Sequence, residues 1–443
     1  MNCTDRPGAG NGGPCISRRE WVAGLLLAPL LPSFAAPAES AAPPFSAAIA
    51  PGERLPAWTA GTLDIHHLAT GRGSATLVVM PDGTSLLIDA GASVSSLDMS
   101  AAPRPDASRR PGEWIARYVQ RHLLPTGRKG LDYMLVTHLH PDHLGGVNDD
   151  LPRSRDGTYR LTGVMDVAEV MPIGMLIDRG YPHYDYPIIE DANFAANYRA
   201  FVRSRRRAGL AVEKLIVGRD DQIRAIRQSA HPAPFAIRNV AADGIVWQGA
   251  GNKTTSLFPP LATLSRDDMP NENMCSIAIR IGYGPFAYFS GGDLTSYTFD
   301  GDRPWRDVLT AAARAVGPVD VATADHHGMF DGISADIVRA LRPRSWVIPT
   351  WHISHPDMLQ LERMLSERLY PGPRDVFATN VMAANELMNR RLLRKLQSTN
   401  GHVVIRVAPG GGTFTALVTD NSDENDAIIV RRGPYKALAA SAG

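Results

Sequence analysis

Leu131-Asp132-Tyr133-Met134-Leu135-Val136-Thr137-His138-Leu139-His140-Pro141-Asp142-His143-Leu144-Gly145-Gly146 is the stretch from which the rest of the chain is read. It opens as a nearly continuous apolar run of strand length, the pattern of a strand buried on both faces of a helix-covered sheet. It closes on three imidazoles and a carboxylate within six residues, at the strand's carboxyl end. Such groups converge only if the backbone turns sharply, which Pro141 and Gly145-Gly146 permit. Imidazole nitrogen and carboxylate oxygen are the donor types that zinc and similar divalent ions prefer.

Working outward, short β-rich runs precede this stretch at Leu63–Leu68, Ala75–Met80 and Ser85–Asp89, the last two joined by the turn Pro81-Asp82-Gly83-Thr84. Helical spacing covers Arg110–Leu123. Strands recur at Ser276–Ile281, Phe286–Ser290, Val319–Thr323, Ser345–Pro349, His402–Val407 and Thr413–Val418, with helical patterns at Trp305–Val316, Ile333–Leu341 and Met358–Leu369. Strands and helices alternate in both halves, which predicts a layered α/β architecture.

The His138-to-Gly146 motif resembles the metal-binding signature of the metallo-β-lactamase superfamily, and within it the chain is similar to the hydrolase domain of ComEC-type DNA-uptake proteins and their exported stand-alone relatives. Thr70–Ala75 with Pro81–Gly91 is similar to the family's opening hairpin. Asn271–Ser276 and Tyr288–Asp293 resemble its late strand pair, and Asp320–Gly328 its His-His-Gly turn. Ser74 departs from the pattern, standing where the competence proteins usually carry Asp. The resemblance implies a four-layer αβ/βα sandwich holding two divalent metal ions, with zinc the default and manganese or iron also compatible. His138 and His140 would hold one ion, Asp142 and His143 the other, and Asp293 would bridge. His326 or His327 would complete the second site, the other of the pair contacting substrate. For the fourth ligand of the first ion, Asp178, at the end of the strand-like Met175–Asp178, is preferred over His183.

A site of this kind implies hydrolysis by a metal-bound hydroxide, with Asp142 orienting the nucleophile and His326 or His327 serving the leaving group. Phosphodiester or phosphate-ester substrates follow from the nearest resemblance. Lactone or β-lactam hydrolysis is the alternative, and a non-catalytic protein that retains its metals is a third class. Residues 148–271 are too long for a simple connection and are expected to be an insertion, a lid over the metal edge with Tyr181, Tyr184 and Tyr186 in its wall. His352 and His355 emerge where they can reach the same edge. His66 and His67 are expected in the core, and the basic runs Arg203–Arg207 and Arg390–Lys395 on solvated helix faces.

Composition narrows the partners. The 443 residues carry a net charge of +1, with 44% hydrophobic and 21% charged residues, which excludes a mainly disordered chain and gives no electrostatic case for nucleic acid. A small-molecule or ester substrate fits better. Ser17-Arg18-Arg19-Glu20-Trp21, the apolar run Val22–Leu31 and the small residues Phe34–Ala38 resemble a twin-arginine export signal, predicting cleavage near Ala36 or Ala38 and a periplasmic or secreted product. Of three cysteines only Cys275 would remain, too few for an internal disulfide. No stretch of about 18 apolar residues predicts a membrane span. The expected organisation is a signal over 1–38, a linker over 39–60, the hydrolase domain over 61–425 and a tail over 426–443.

Overall fold

Strand β4, Leu131–Leu135, sends Met134 to one face of its sheet and Tyr133 and Leu135 to the other, and both faces meet apolar side chains, which is why its sequence does not alternate with polar residues. The computed structural model describes residues 52–189, 192–228 and 230–438; the expected export signal with Arg18 and Arg19, and most of the expected linker, lie outside them. In chain order, β1 (Leu63–His67), β2 (Thr76–Val79), β3 (Ser85–Ile88), β4, β5 (Ile173–Asp178) and β6 (Ala211–Lys214) enter a first sheet. Strands β7 (Phe235–Ala242), β8 (Ile245–Trp247), β9 (Thr254–Ser256), β10 (Ala278–Tyr283), β11 (Phe286–Ser290), β12 (Val321–Thr323), β13 (Ser345–Ile348) and β14 (Asp375–Ala378) form a second. The chain then returns to the first sheet with β15 (His402–Val407), β16 (Thr413–Thr419) and β17 (Ile428–Lys436).

The first sheet runs β17-β16-β15-β1-β2-β3-β4-β5-β6 and the second β14-β13-β12-β11-β10-β7-β8-β9. Strands β3 to β6 are mutually parallel, as are β11 to β14. Their inner faces share one core, with Ile65, Val78 and Leu135 from the first sheet and Ile279, Tyr288, Val347 and Phe377 from the second. Helices α1 (Pro111–Leu123), α2 (Pro141–Leu144), α3 (Val164–Val170) and α4 (Asn193–Arg207) belong to the first half, and α1, α3 and α4 bury Ile115, Val119, Val164 and Tyr198 on the outer face of its sheet. Helices α5 (Val308–Val316), α6 (Ala335–Leu341), α7 (Met358–Met364) and α8 (Ala383–Leu393) cover the other outer face through Leu309, Val338, Leu361 and Leu392. The result is the expected αβ/βα sandwich, and none of the described helices is long and apolar enough to cross a membrane.

Three expectations are corrected. Residues 148–271 are not an added lid: they contribute α3, β5, α4 and β6 to the first half and β7, β8 and β9 to the second, the strands all hydrogen-bonded into the two sheets. The sequence disguised this because β6, β8 and β9 are short and largely exposed, which removes the apolar signal. Residues 428–436 are an edge strand rather than a tail. Where the linker was expected to continue, Gly52 and Glu53 pair with Ile428 at 2.7 and 2.8 Å.

Candidate metal centre

The chemistry-bearing side chains follow the carboxyl ends of the parallel strands. His138 comes three residues after β4, Asp293 three after β11 and His327 four after β12, so two sheets deliver them to one edge. Asp142 and His143 sit on α2, a single turn opened by Pro141 and closed by Gly145 at φ 116°, where a side chain would be strained. Gly73 and Gly91 lie so close to this turn that a Cβ at either would meet the Asp142 carbonyl at 2.2 and 2.0 Å.

Two groups of potential ligand atoms result, each gathered within 4.8 Å: Asp142, His143, Asp293 and His327, and His138, His140 and Asp293. Asp293 is common to both. His143 Nε2 lies 3.1 Å from Asp293 Oδ1 and 3.2 Å from His327 Nε2, which in turn is 2.9 Å from Asp142 Oδ2. His138 Nε2 and His140 Nδ1 approach to 3.0 Å. The outward nitrogens test whether the set fits a cation. His143 Nδ1 faces Asp89 Oδ2 at 2.8 Å and His327 Nδ1 faces the Pro349 carbonyl at 2.9 Å. Both partners only accept, so each Nδ1 carries the proton and each Nε2 turns a lone pair into the cluster, the arrangement found around metal-ligating histidines. The donor set fits divalent ions.

Electrostatics agree. Burial opposes charge on His143 and His327, yet the Asp293 carboxylate outweighs it, raising His143 and, with Asp142, pushing His327 up to about 10. Burial likewise opposes ionisation of Asp142 and Asp293, but His143 and His327 hold both well below the usual carboxylate range. Protons on the His143 and His327 Nε2 atoms would thus compensate the two carboxylates, a part that a divalent cation accepting the same lone pairs would take over.

The structure separates the adjacent histidines. His327 joins the four-residue group, whereas His326 points elsewhere, with Nδ1 2.6 Å from Asp331 Oδ1 and Nε2 3.1 Å from Asn273 Nδ2. Positive φ at both residues, 51° and 54°, produces that divergence. Burial disfavours a charge on His326, but the hydrogen bond to Asp331 prevails and raises its pKa.

Asp178 is not brought to the cluster. One of its oxygens accepts from the Gly180 and Tyr181 amides at 2.9 and 2.8 Å, the other from the Tyr184 and Tyr198 hydroxyls at 2.6 and 2.9 Å, so it ties the end of β5 to α4. His183, the second choice, is exposed and lies outside both groups. Tyr184 is buried on Asp178, Tyr181 packs on the outer core of the first half and Tyr186 on that of the second, so these rings serve the core. His355 does reach the edge, stacked on His327 with centroids 4.7 Å apart and planes 11° from parallel.

Supporting residues escaped the sequence reading. Asp89 accepts from the Thr137 amide and hydroxyl at 2.8 and 2.7 Å besides holding His143. Glu272 accepts from the Leu139 amide, between His138 and His140, at 2.7 Å and is clamped by Arg179, itself paired with Asp243 at 3.0 Å. The available signal was a carboxylate closing an apolar strand, Ser85–Asp89, and an acid set between two asparagines, Asn271–Asn273.

Residues 68–159 match the family model described as the metallo-beta-lactamase superfamily. No curated protein matches the chain. Among solved structures, a mutant of the CmlA beta-hydroxylase is similar at 13% identity and a TM-score of 0.36 over 78% of this chain, which spans only about half, 54%, of that one. The metallo-beta-lactamase fold protein YhfI from Bacillus subtilis is similar at 12% identity over 78% of this chain and 99% of that chain, with a TM-score of 0.33. Human tRNase Z, short form, gives 14% identity over 64% and 91% of the two chains, with a TM-score of 0.28. The matched segment contains His138, His140, Asp142 and His143, so the similarity to the metallo-beta-lactamase superfamily falls on the ligand turn, in a chain built as an αβ/βα sandwich.

Proposed function

We propose that the protein is an exported metal-dependent hydrolase of phosphodiester or phosphate-ester bonds. The observation that carries this reading is the sharing of Asp293 between two donor groups, which suits a pair of neighbouring divalent ions. Such ions, when bound, supply Lewis acidity and lower the pKa of water toward neutrality. His143 and His327 would hold one ion with Asp142, and His138 and His140 the other, with Asp293 between them. The His138–His140–Asp293 group, short of a fourth protein donor now that Asp178 is engaged elsewhere, would leave a position for water or substrate, as catalytic sites do. His326, held by Asp331 and beside Asn273, would hydrogen-bond a substrate oxygen. Asp89 and Pro349 fix the imidazole tautomers, and His355 backs His327.

The choice of phosphate esters rests on the resemblance to ComEC-type hydrolase domains; zinc is the expected metal, with manganese and iron as the other fits, and the periplasm the expected compartment. Hydrolysis of bis(p-nitrophenyl) phosphate against a chromogenic β-lactam, with and without chelator, tests it. Chelator-sensitive cleavage of the phosphodiester alone is expected. Cleavage of the β-lactam alone would move the substrate to the lactone and lactam class, and inertness of a metal-loaded protein toward both would favour a metal-retaining binding protein.

A further inference from the structure

Tyr297, Phe299 and Phe330 are 40%, 47% and 51% exposed, yet they touch: Tyr297 lies 4.8 Å from Phe299 and 5.8 Å from Phe330 between ring centroids. Their two segments leave the two ligand turns of the second sheet, Tyr297 four residues beyond Asp293 and Phe330 three beyond His327. Hydrogen bonds lock the segments together, with the Ser296 amide donating to the Asp331 carbonyl at 2.7 Å and the Ser296 hydroxyl to the Gly332 carbonyl. Asp331 is also the partner of His326. The rings are thus part of the scaffold that positions His326. The buried Arg306 guanidinium backs Phe299 at 4.8 Å from its centroid. Gln360 of α7 donates to the Phe330 carbonyl at 3.0 Å, and Met358 and Leu359 at the start of that helix are 48% and 46% exposed.

An exposed cluster of this kind forgoes the stabilisation its burial would bring, and clusters of such residues mark binding surfaces. The charges nearby select among occupants. Asp300 and Asp302 stand beside Phe299 in sequence and Asp331 is held by His326, while Arg303 is engaged by Asp268 at 2.6 Å and Arg306 by the Phe299 and Trp305 rings. An anionic chain is repelled here; an uncharged apolar one is not.

We propose that Tyr297, Phe299 and Phe330 form a subsite for an alkyl or acyl chain of the substrate, making the natural substrate an amphiphilic ester with its polar, scissile end at the Asp293–His327 centre. This rests on the hydrolase reading, so the test separates the two. Binding of n-alkylphosphonates and of n-alkanols of two, four, six and eight carbons to the metal-loaded protein is measured by calorimetry. Affinity should rise about two- to fourfold per methylene in both series, a partial to full methylene burial. In Phe330→Ser and Tyr297→Ser the dependence on chain length should collapse, and Phe330→Leu should restore most of it. No length dependence in the wild-type protein, or one unchanged by both serine variants, overturns the proposal. Tighter binding of a short trimethylammonium phosphonate than of hexylphosphonate also overturns it, in favour of a cation held on the rings. Phosphonates binding no better than alkanols would count against the phosphate-ester reading alone.

Discussion

Asp293 is the side chain on which both donor groups depend, and His140 serves only one of them. The two should therefore differ on substitution. His140→Ala is expected to lower bound metal toward one equivalent, and Asp293→Ala to loosen both ions; each should reduce turnover at least about a hundredfold, the usual order for a group acting directly on the reacting centre. Metal analysis after gel filtration, paired with kinetics, checks this, and wild-type metal content in either variant would remove that residue from the donor set. Glu272 acts one step further out, through the Leu139 amide. Glu272→Gln keeps an acceptor oxygen but loses the charge-assisted clamp from Arg179, so metal affinity should fall about 10- to 100-fold, with Glu272→Ala falling further. At this scale the sequence was most legible where residue type and spacing coincide, at His138, His140, Asp142 and His143. It could not choose between His326 and His327, because backbone φ makes that choice. Asp178 misled because a carboxylate at a strand's end can face a cation or a set of hydroxyls and amides, and Tyr198, which holds it, lies twenty residues away.

Between residue and fold stand the elements that hold the ligand turn. The short helix α2 is wedged between Gly73 and Gly91, with the Ser74 amide donating to the Asp142 carbonyl at 2.8 Å. Gly91→Ala places a methyl 2.0 Å from that carbonyl, so the turn must shift. Overpacking of this kind costs about 1–3 kcal/mol, and here it should also displace Asp142 and lower metal retention. Gly412→Ala, where a Cβ meets nothing within 4 Å, should leave both unchanged and serves as the control for thermal melts and metal analysis. Long apolar strands and amphipathic helices were readable because burial writes a period into the sequence. Strands β6, β8 and β9 were not, since three- and four-residue strands at a sheet edge bury too little to leave one.

Across the whole molecule, buried neutral histidines tie stability to pH. His402 on β15 accepts from the Ala69 amide at 2.9 Å and packs on Tyr118 at 4.7 Å, and burial pushes its pKa down to about 3 from 6.5. Below pH 6.5 the unfolded chain takes up a proton there that the folded chain excludes, so this residue's contribution declines as pH falls from 6.5 toward 3. His402→Gln removes that dependence. Urea titrations at about pH 7.5 and 5.0 should show the variant gaining about 2 kcal/mol relative to wild type at the lower pH, from about 1.4 kcal/mol per pH unit over about 1.5 units. An unchanged difference between the two proteins would mean that His402 is protonated in the folded state.

His143 and His327 face each other across 3.2 Å of space but 184 residues of chain. During synthesis His138, His140, Asp142 and His143 emerge long before Asp293 and His327, and a chain cut before Asp293 owns four of the six donors and lacks the one common to both groups. Metal capture by the full donor set thus reports that the second sheet has been made as far as β12 and docked on the first. A ribosome-bound series of increasing length should reach its full metal content only after residue 327 has cleared the exit tunnel, so metal content would serve as a mark that the two halves have met.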